Sequence, residues 1–243
     1  MTSPVPDQAR RELAPTGKLR AGINFSNLLL VKKDGGDGAP RGVVIDVARE
    51  LARRVGVPLE IVGFESPGAV ADAATTGAWD VAFIAADPAR ATHIEFTPAY
   101  VTIEATYLVR SASPLRTQAD IDRAGVRISV SDKSAYDLFL TRSLKHAQLV
   151  RSDGTENSFK RFVIDRLDAM AGLRGMLLDY AQGDAQYRLL DGSFTSAQQA
   201  IGTARQRGAA ASYLRDFVQD MKQSGFLAEV FRTQKARGLS IAP

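Results

Sequence analysis

Apolar residues recur along this chain with two spacings, and the two alternate. Residues 19–24 form a short apolar run that predicts a strand, and a turn-rich stretch from Lys33 to Gly38 follows. Val44, Val47, Ala48, Leu51, Ala52 and Val55 then fall on one face of a helix, with Gly56 placed as its stop. Residues 59–64 predict a second strand. Ser66-Pro67 has the form of an N-cap and first-turn proline for a helix reaching residue 76, which Gly77 ends. Residues 80–85 are apolar almost throughout, as in a strand covered on both faces. This β-α-β-α-β order calls for a mostly parallel sheet with right-handed crossovers.

The alternation restarts after residue 100. Strands are expected at 102–109, 126–130, 147–150, 167–171, 187–190 and 198–204, and helices at 134–144, 209–224 and 226–235. Asp153-x-x-Glu156 has the spacing of a capping box opening a further helix that runs to residue 166. Residues 1–16 read as a polar, proline-containing leader. The expected organisation is therefore α/β in two lobes, residues 17–108 with 203–243 and residues 109–202, with a mostly parallel sheet in each and crossings near 107–111 and 199–205. A chain that leaves one lobe, builds a second and returns is expected to bind a small molecule at strand carboxyl ends and helix N-termini.

Composition narrows the chemistry. With 243 residues, 45% apolar and 24% charged, the chain is globular in class rather than disordered. Its net charge of +4 resides in residues 201–243 and lacks the clustered basic stripe that nucleic-acid binding needs. Cys is absent, which removes disulfides, thiol nucleophiles and Cys-ligated metals. The two histidines, His93 and His146, are far apart and lack HExxH spacing, leaving only carboxylates as conceivable metal ligands; no metal and no cofactor is expected. No apolar run approaches the ~20 residues of a membrane span, so direct membrane insertion is not expected.

Several segments together resemble the bacterial extracellular solute-binding proteins of family 3, the amino-acid-type receptors of ABC importers. They are Gly17-Lys18-Leu19-Arg20-Ala21-Gly22, Gly42 and Asp46 ahead of Ala48-Arg49-Glu50-Leu51-Ala52, Gly77-Ala78-Trp79-Asp80-Val81, Pro88-Ala89-Arg90, Ile94-Glu95-Phe96-Thr97-Pro98-Ala99-Tyr100, Val126-Arg127-Ile128-Ser129-Val130 and Leu167-Asp168-Ala169. The resemblance implies a two-lobed, periplasmic-binding-protein-like (type II) clamshell, monomeric, that closes on one solute and hands it to ABC permease subunits.

It also implies where the ligand sits. Arg90 occupies the position of the family's carboxylate-pairing arginine, a role that suits a planar guanidinium; the alternative is a surface pair with Asp87 or Glu95. Asp87 stands where the family usually has a hydroxyl residue, and Asp87-Pro88 also fits a helix cap. Phe25 and Asn27 fall among the pocket-wall positions, with turn chemistry the other reading for Asn24 and Asn27, and Glu65 and Ser66 end a neighbouring strand. In the second lobe, Ser131-Asp132-Lys133-Ser134 corresponds to the segment that meets the same carboxylate, Lys133 and Ser134 being the candidate contacts and an ordinary cap by Ser131 or Asp132 the alternative. One departure stands out: where relatives that bind α-amino acids place an aspartate for the ammonium group, this chain has Leu173, followed by Arg174. That exchange favours an anionic or uncharged carboxylate-bearing ligand over a zwitterion. Arg174 is either a pocket cation or a solvated helix residue.

Two further readings share the fold. Cyclohexadienyl dehydratases use it for catalysis, and Glu65, Asp87 or Asp132 would be the proton donor; no nucleophile elbow, P-loop or catalytic motif points that way, and no catalytic residue is assigned. An intracellular ligand sensor is the other. Family resemblance places the chain in the periplasm, whereas a native start at Met1, with no apolar segment after Arg10 and Arg11, would keep it in the cytoplasm.

Overall fold

A computed structural model describes residues 4–33 and 38–243 of the chain. The centre of the expected 33–38 turn lies outside the described residues. The elements in chain order begin with α1 (Asp7–Leu13), β1 (Leu19–Asn24), α2 (Val43–Val55), β2 (Leu59–Phe64), α3 (Pro67–Asp72), β3 (Val81–Ala85), β4 (Ile94–Phe96) and β5 (Val101–Arg110). They continue with β6 (Arg127–Ser131), α4 (Ala135–Ser143), β7 (Gln148–Ser152), α5 (Gly154–Ile164), β8 (Ala169–Leu173) and α6 (Arg174–Gln182). The chain closes with β9 (Tyr187–Leu189), β10 (Thr195–Ala204), α7 (Gly208–Gln223), α8 (Phe226–Thr233) and β11 (Ser240–Ile241). It divides into two compact units, Met1–Thr102 with Gln198–Pro243, and Ile103–Ala197.

In the first unit, β1 pairs in parallel with β2 on one side and β3 on the other, so the carboxyl ends of all three strands share one edge. The strand β10 then runs antiparallel to both β3 and β4. The sheet is thus mixed, with a parallel centre, where the alternation of strands and helices led to the expectation of a mostly parallel one. The cause is β10, which enters this unit from the opposite direction and brings the chain back to α7. Periodicity located α2 well: Val44, Val47, Ala48, Leu51, Ala52 and Val55 are all buried, and Gly56 ends the helix in the left-handed region at φ 74°. Within the 1–16 segment, residues 7–13 are helical. Ala9 and Leu13, one helical turn apart on α1, are both buried, and Glu12 accepts a hydrogen bond from the N–H of Ala210 at 2.8 Å. Two apolar residues are too short a pattern to show a helix in the sequence.

A buried carboxylate fixes β3. Asp80 is fully buried and accepts from Arg20 Nε at 2.9 Å, Arg20 Nη2 at 2.8 Å, the Arg20 backbone N–H at 3.1 Å and Arg207 Nη1 at 2.9 Å. These bonds tie the entry to β3 to β1 and to the start of α7. The Arg20 guanidinium is raised above its ordinary pKa chiefly by its hydrogen bond to Asp80.

The second unit carries β7, β6 and β8 side by side in parallel, with β5 antiparallel to β8 and β9 antiparallel to β5. Leu108, Phe162, Leu167, Met170 and Leu177 form its core. The expected capping box at α5 does not form: Asp153 makes no side-chain cap, Gly154 turns the chain at φ 76°, and Glu156 pairs with Lys160 at 2.6 Å. The expected 167–171 strand starts at Ala169, because Leu167 is still bonded to the Phe162 carbonyl in the turn that closes α5. Two aspartates hold turns in this unit. Asp120 accepts from the backbone N–H groups of Arg116 and Thr117 and from the Thr117 hydroxyl, which brings its pKa down to about 2. Asp122 accepts from three successive backbone N–H groups, at Lys145, His146 and Ala147, and is likewise lowered.

Two expectations follow. Replacing Asp80 with Ala leaves two guanidinium groups without their shared anion, and urea unfolding is expected to show a loss of about 3–5 kcal/mol. Asp120 and Asp122 have folded pKa values below their unfolded ones, so their stabilisation is complete above the unfolded value of about 3.9 and is lost as the pH falls through the folded values, about 2 for Asp120. Asp120→Asn and Asp122→Asn proteins should therefore show a flatter dependence of Tm on pH across that window than the parent.

Candidate functional site

The parallel edge of the first unit gathers most of the expected ligand residues. Phe25 follows β1, and its N–H bonds to the Phe64 carbonyl at 2.8 Å. Its ring lies over Gly63, where a Cβ would fall 2.2 Å from the ring, so only glycine admits this packing. Lys33 Nζ lies 4.9 Å from the Phe25 ring centre and 2.8 Å from Glu65 Oε1. Asn27 is buried and its side-chain oxygen accepts from Leu29 N at 3.3 Å, while Asn24 accepts from both the N–H and hydroxyl of Ser26. The turn reading of both asparagines therefore describes the bonds they make. Ser66 caps α3 by accepting from Ala69 N at 3.1 Å.

Beyond β3 the chain enters a tight turn that presents Arg90. Asp87 Oδ1 accepts from Ala89 N at 2.9 Å, the Asp87 carbonyl accepts from Ala91 N, and a single 3-10 turn spans Arg90–Thr92. Arg90 is only 6% exposed, and its Nη1 donates to the Ala85 carbonyl at 2.6 Å. Arg90 is therefore buried and not at the surface, and Glu95 pairs with Arg215 at 2.9 Å. Burial pulls the guanidinium down to about 10, and the charges of Asp87 and Asp72 offset only part of that penalty. It remains a cation at neutral pH. A cavity of about 450 Å³ lies beside this turn, between Asp87, Pro88, Ala91, Ile94, Phe96 and Arg205.

In the second unit the strand-to-helix turn is internally bonded. Ser134, and neither Ser131 nor Asp132, caps α4, accepting from Asp137 N at 3.1 Å. Lys133 takes the left-handed conformation at φ 52°, with its N–H donated to Asp137 Oδ2 at 2.8 Å and its side chain exposed. Asp137 is buried and ion-paired with Arg151 at 3.0 Å. Asp137 and Arg151 were not singled out from sequence, yet they hold the turn; a buried aspartate three residues past a cap was the signal available. Leu173 is buried at the end of β8. Arg174 opens α6 and binds Glu104 at 2.7 Å and the Gly192 carbonyl, so it is neither freely solvated nor unoccupied.

The carboxylates of the dehydratase reading are engaged in similar ways. Glu65 is exposed and paired with Lys33, Asp87 holds its own turn, and Asp132 lies 3.7 Å from Arg151. Tyr100 and Tyr107 are buried in the core, and His93 is exposed. Among the described residues, no cluster of His, Asp and Glu has the arrangement to hold a metal, and no helix is long and apolar enough to cross a membrane.

Solved structures with the same fold are numerous. A mutant of ArgBP from T. maritima superposes with a TM-score of 0.78 at 21% identity, covering 94% of this chain and 100% of that one. The ancestral amino acid-binding protein AncCDT-1, described as a precursor of cyclohexadienyl dehydratase, matches with a TM-score of 0.77 at 21% identity over 93% of this chain and 98% of that one. The amino acid ABC transporter substrate-binding protein AbpA from Streptococcus pneumoniae, bound to L-arginine, gives 0.77 at 18% identity over 92% and 97%. These likenesses establish a type II periplasmic-binding-protein fold. No curated protein matches the sequence. The family model of the bacterial extracellular solute-binding proteins, family 3, matches residues 30–233, and the chain belongs to that family of solute-binding proteins.

Proposed function

We propose that this protein captures a small carboxylate-bearing solute and delivers it to the permease of an ABC importer outside the cytoplasm, with Arg90 as the carboxylate anchor. The observation that carries this reading is the state of Arg90. Arg90 is a buried guanidinium in the turn that leaves the carboxyl end of β3, at the position of the family's carboxylate-pairing arginine, and its planar fork suits a carboxylate. Membership of the solute-binding family and the likeness to AncCDT-1, an ancestral amino acid-binding protein, and AbpA, an amino acid ABC transporter substrate-binding protein, support the same class of ligand.

The ligand differs from a simple α-amino acid at its ammonium end. Leu173 is apolar and buried, and a free ammonium placed against it would lose its hydration without gaining a partner. Organic acids without an α-ammonium group are therefore the preferred ligands.

A thermal-shift screen of the purified chain against L-amino acids and their deaminated acid counterparts tests this. An acid at about 100 times its Kd should add roughly 2.7 kcal/mol to stability. Stabilisation by the acids, abolished in Arg90→Ala, is the expected result. Stabilisation by L-amino acids alone would reject the role given to Leu173, and acid binding that survives Arg90→Ala would reject the anchor.

A further inference from the structure

We infer that the ligand carries a second anionic group and that Lys33 is the residue that selects it, with Glu65 holding the lysine in place until the ligand arrives. This deepens the proposed function and rests on Arg90 as the first anchor. The strands β2, β1 and β3 are neighbours and parallel, so the segments leaving their carboxyl ends lie along one edge. Glu65 leaves β2, Phe25 leaves β1, and the Arg90 turn leaves β3. With about 4.8 Å between adjacent strands, the outer two are about 10 Å apart. An elongated acid anchored at the β3 end therefore projects across Phe25 toward the Lys33–Glu65 pair.

The chemistry at that far end favours an anion. The Lys33 ammonium rests on the face of the Phe25 ring, 4.9 Å from its centre, where a cationic ligand would otherwise stack. An ammonium has three donors, and Glu65 takes one of them at 2.8 Å. The pair is readily exchanged: the side chains of Lys33 and Glu65 are 54% and 79% exposed, and water weakens such a surface pair. A ligand carboxylate tethered at Arg90 reaches Lys33 at high effective concentration, which an exposed glutamate with a free choice of rotamers does not match. Glu65 thus acts as a placeholder that keeps Lys33 over Phe25.

Isothermal titration of the purified chain with glutarate and adipate, each against its one-carboxylate counterpart, pentanoate and hexanoate, tests the inference at fixed ionic strength. At least one diacid is expected to bind about tenfold more tightly than its partner, the equivalent of ~1.4 kcal/mol. In Lys33→Met that advantage should vanish while monoacid affinity is unchanged, in Glu65→Gln the diacid should bind more tightly, and in Arg90→Ala both classes should be lost. Monoacids binding as well as diacids, or Lys33→Met weakening both alike, would overturn the second anionic group and leave the Arg90 reading standing. Binding of none of the four acids, or binding unaffected by Arg90→Ala, would remove that reading and the inference with it.

Discussion

The placement of β3 depends on Asp80. One buried carboxylate accepts hydrogen bonds from Arg20 and Arg207, from strand β1 and from the segment that opens α7, so three stretches far apart in sequence converge on a single charge. The Thr203 hydroxyl adds a bond to the Asp80 carbonyl at 3.0 Å. Through the strand that follows, this cluster sets where the carboxyl end of β3 emerges and therefore where the Asp87–Arg90 turn stands beside the ends of β1 and β2.

Two environments for the same guanidinium distinguish structure from function here. Arg20 has its charge-assisted bonds to a buried carboxylate, and its pKa rises in consequence. Arg90 is more deeply buried, donates to a backbone carbonyl, and its pKa falls because the charges of Asp87 and Asp72 do not offset the loss of water. The first arrangement is complete within the protein. The second stands in the turn at the carboxyl edge of the parallel strands, which is why Arg90 and not Arg20 is the anchor we propose. Along the same edge Lys33 stands over Phe25 on an exchangeable partner, so the two cations are presented with unequal firmness.

Much of the fold was legible because it is written in local patterns. The buried stripe of α2, the Ser66-Pro67 start of α3 and the wholly apolar β3 are short-range features, and the structure places all three. Pairing direction was not legible at β10, because an apolar run gives no sign of which way its chain travels. Nor was α1, whose two buried residues are stabilised by contacts with α7 far along the chain. At the site, the type of residue and its place on an edge could be read, whereas its partners could not. Arg90 could be placed on the edge, but its burial and its bond to the Ala85 carbonyl could not be read from the sequence; Lys33 appeared only as part of a turn. Ser134 was expected at the second turn, but the bond from Asp137 that makes it the cap depends on side-chain geometry.

The most direct test of the account is to observe the Arg90 side chain while ligand binds. Arginine Nε–H resonances report new hydrogen bonds to a carboxylate, and the Arg90 signal can be assigned by its loss in Arg90→Lys. On saturation with an acid that stabilises the protein, the account predicts a downfield shift of the Arg90 Nε–H signal, with those of Arg20 and Arg207 unmoved. Saturable binding that leaves the Arg90 signal in place would contradict it.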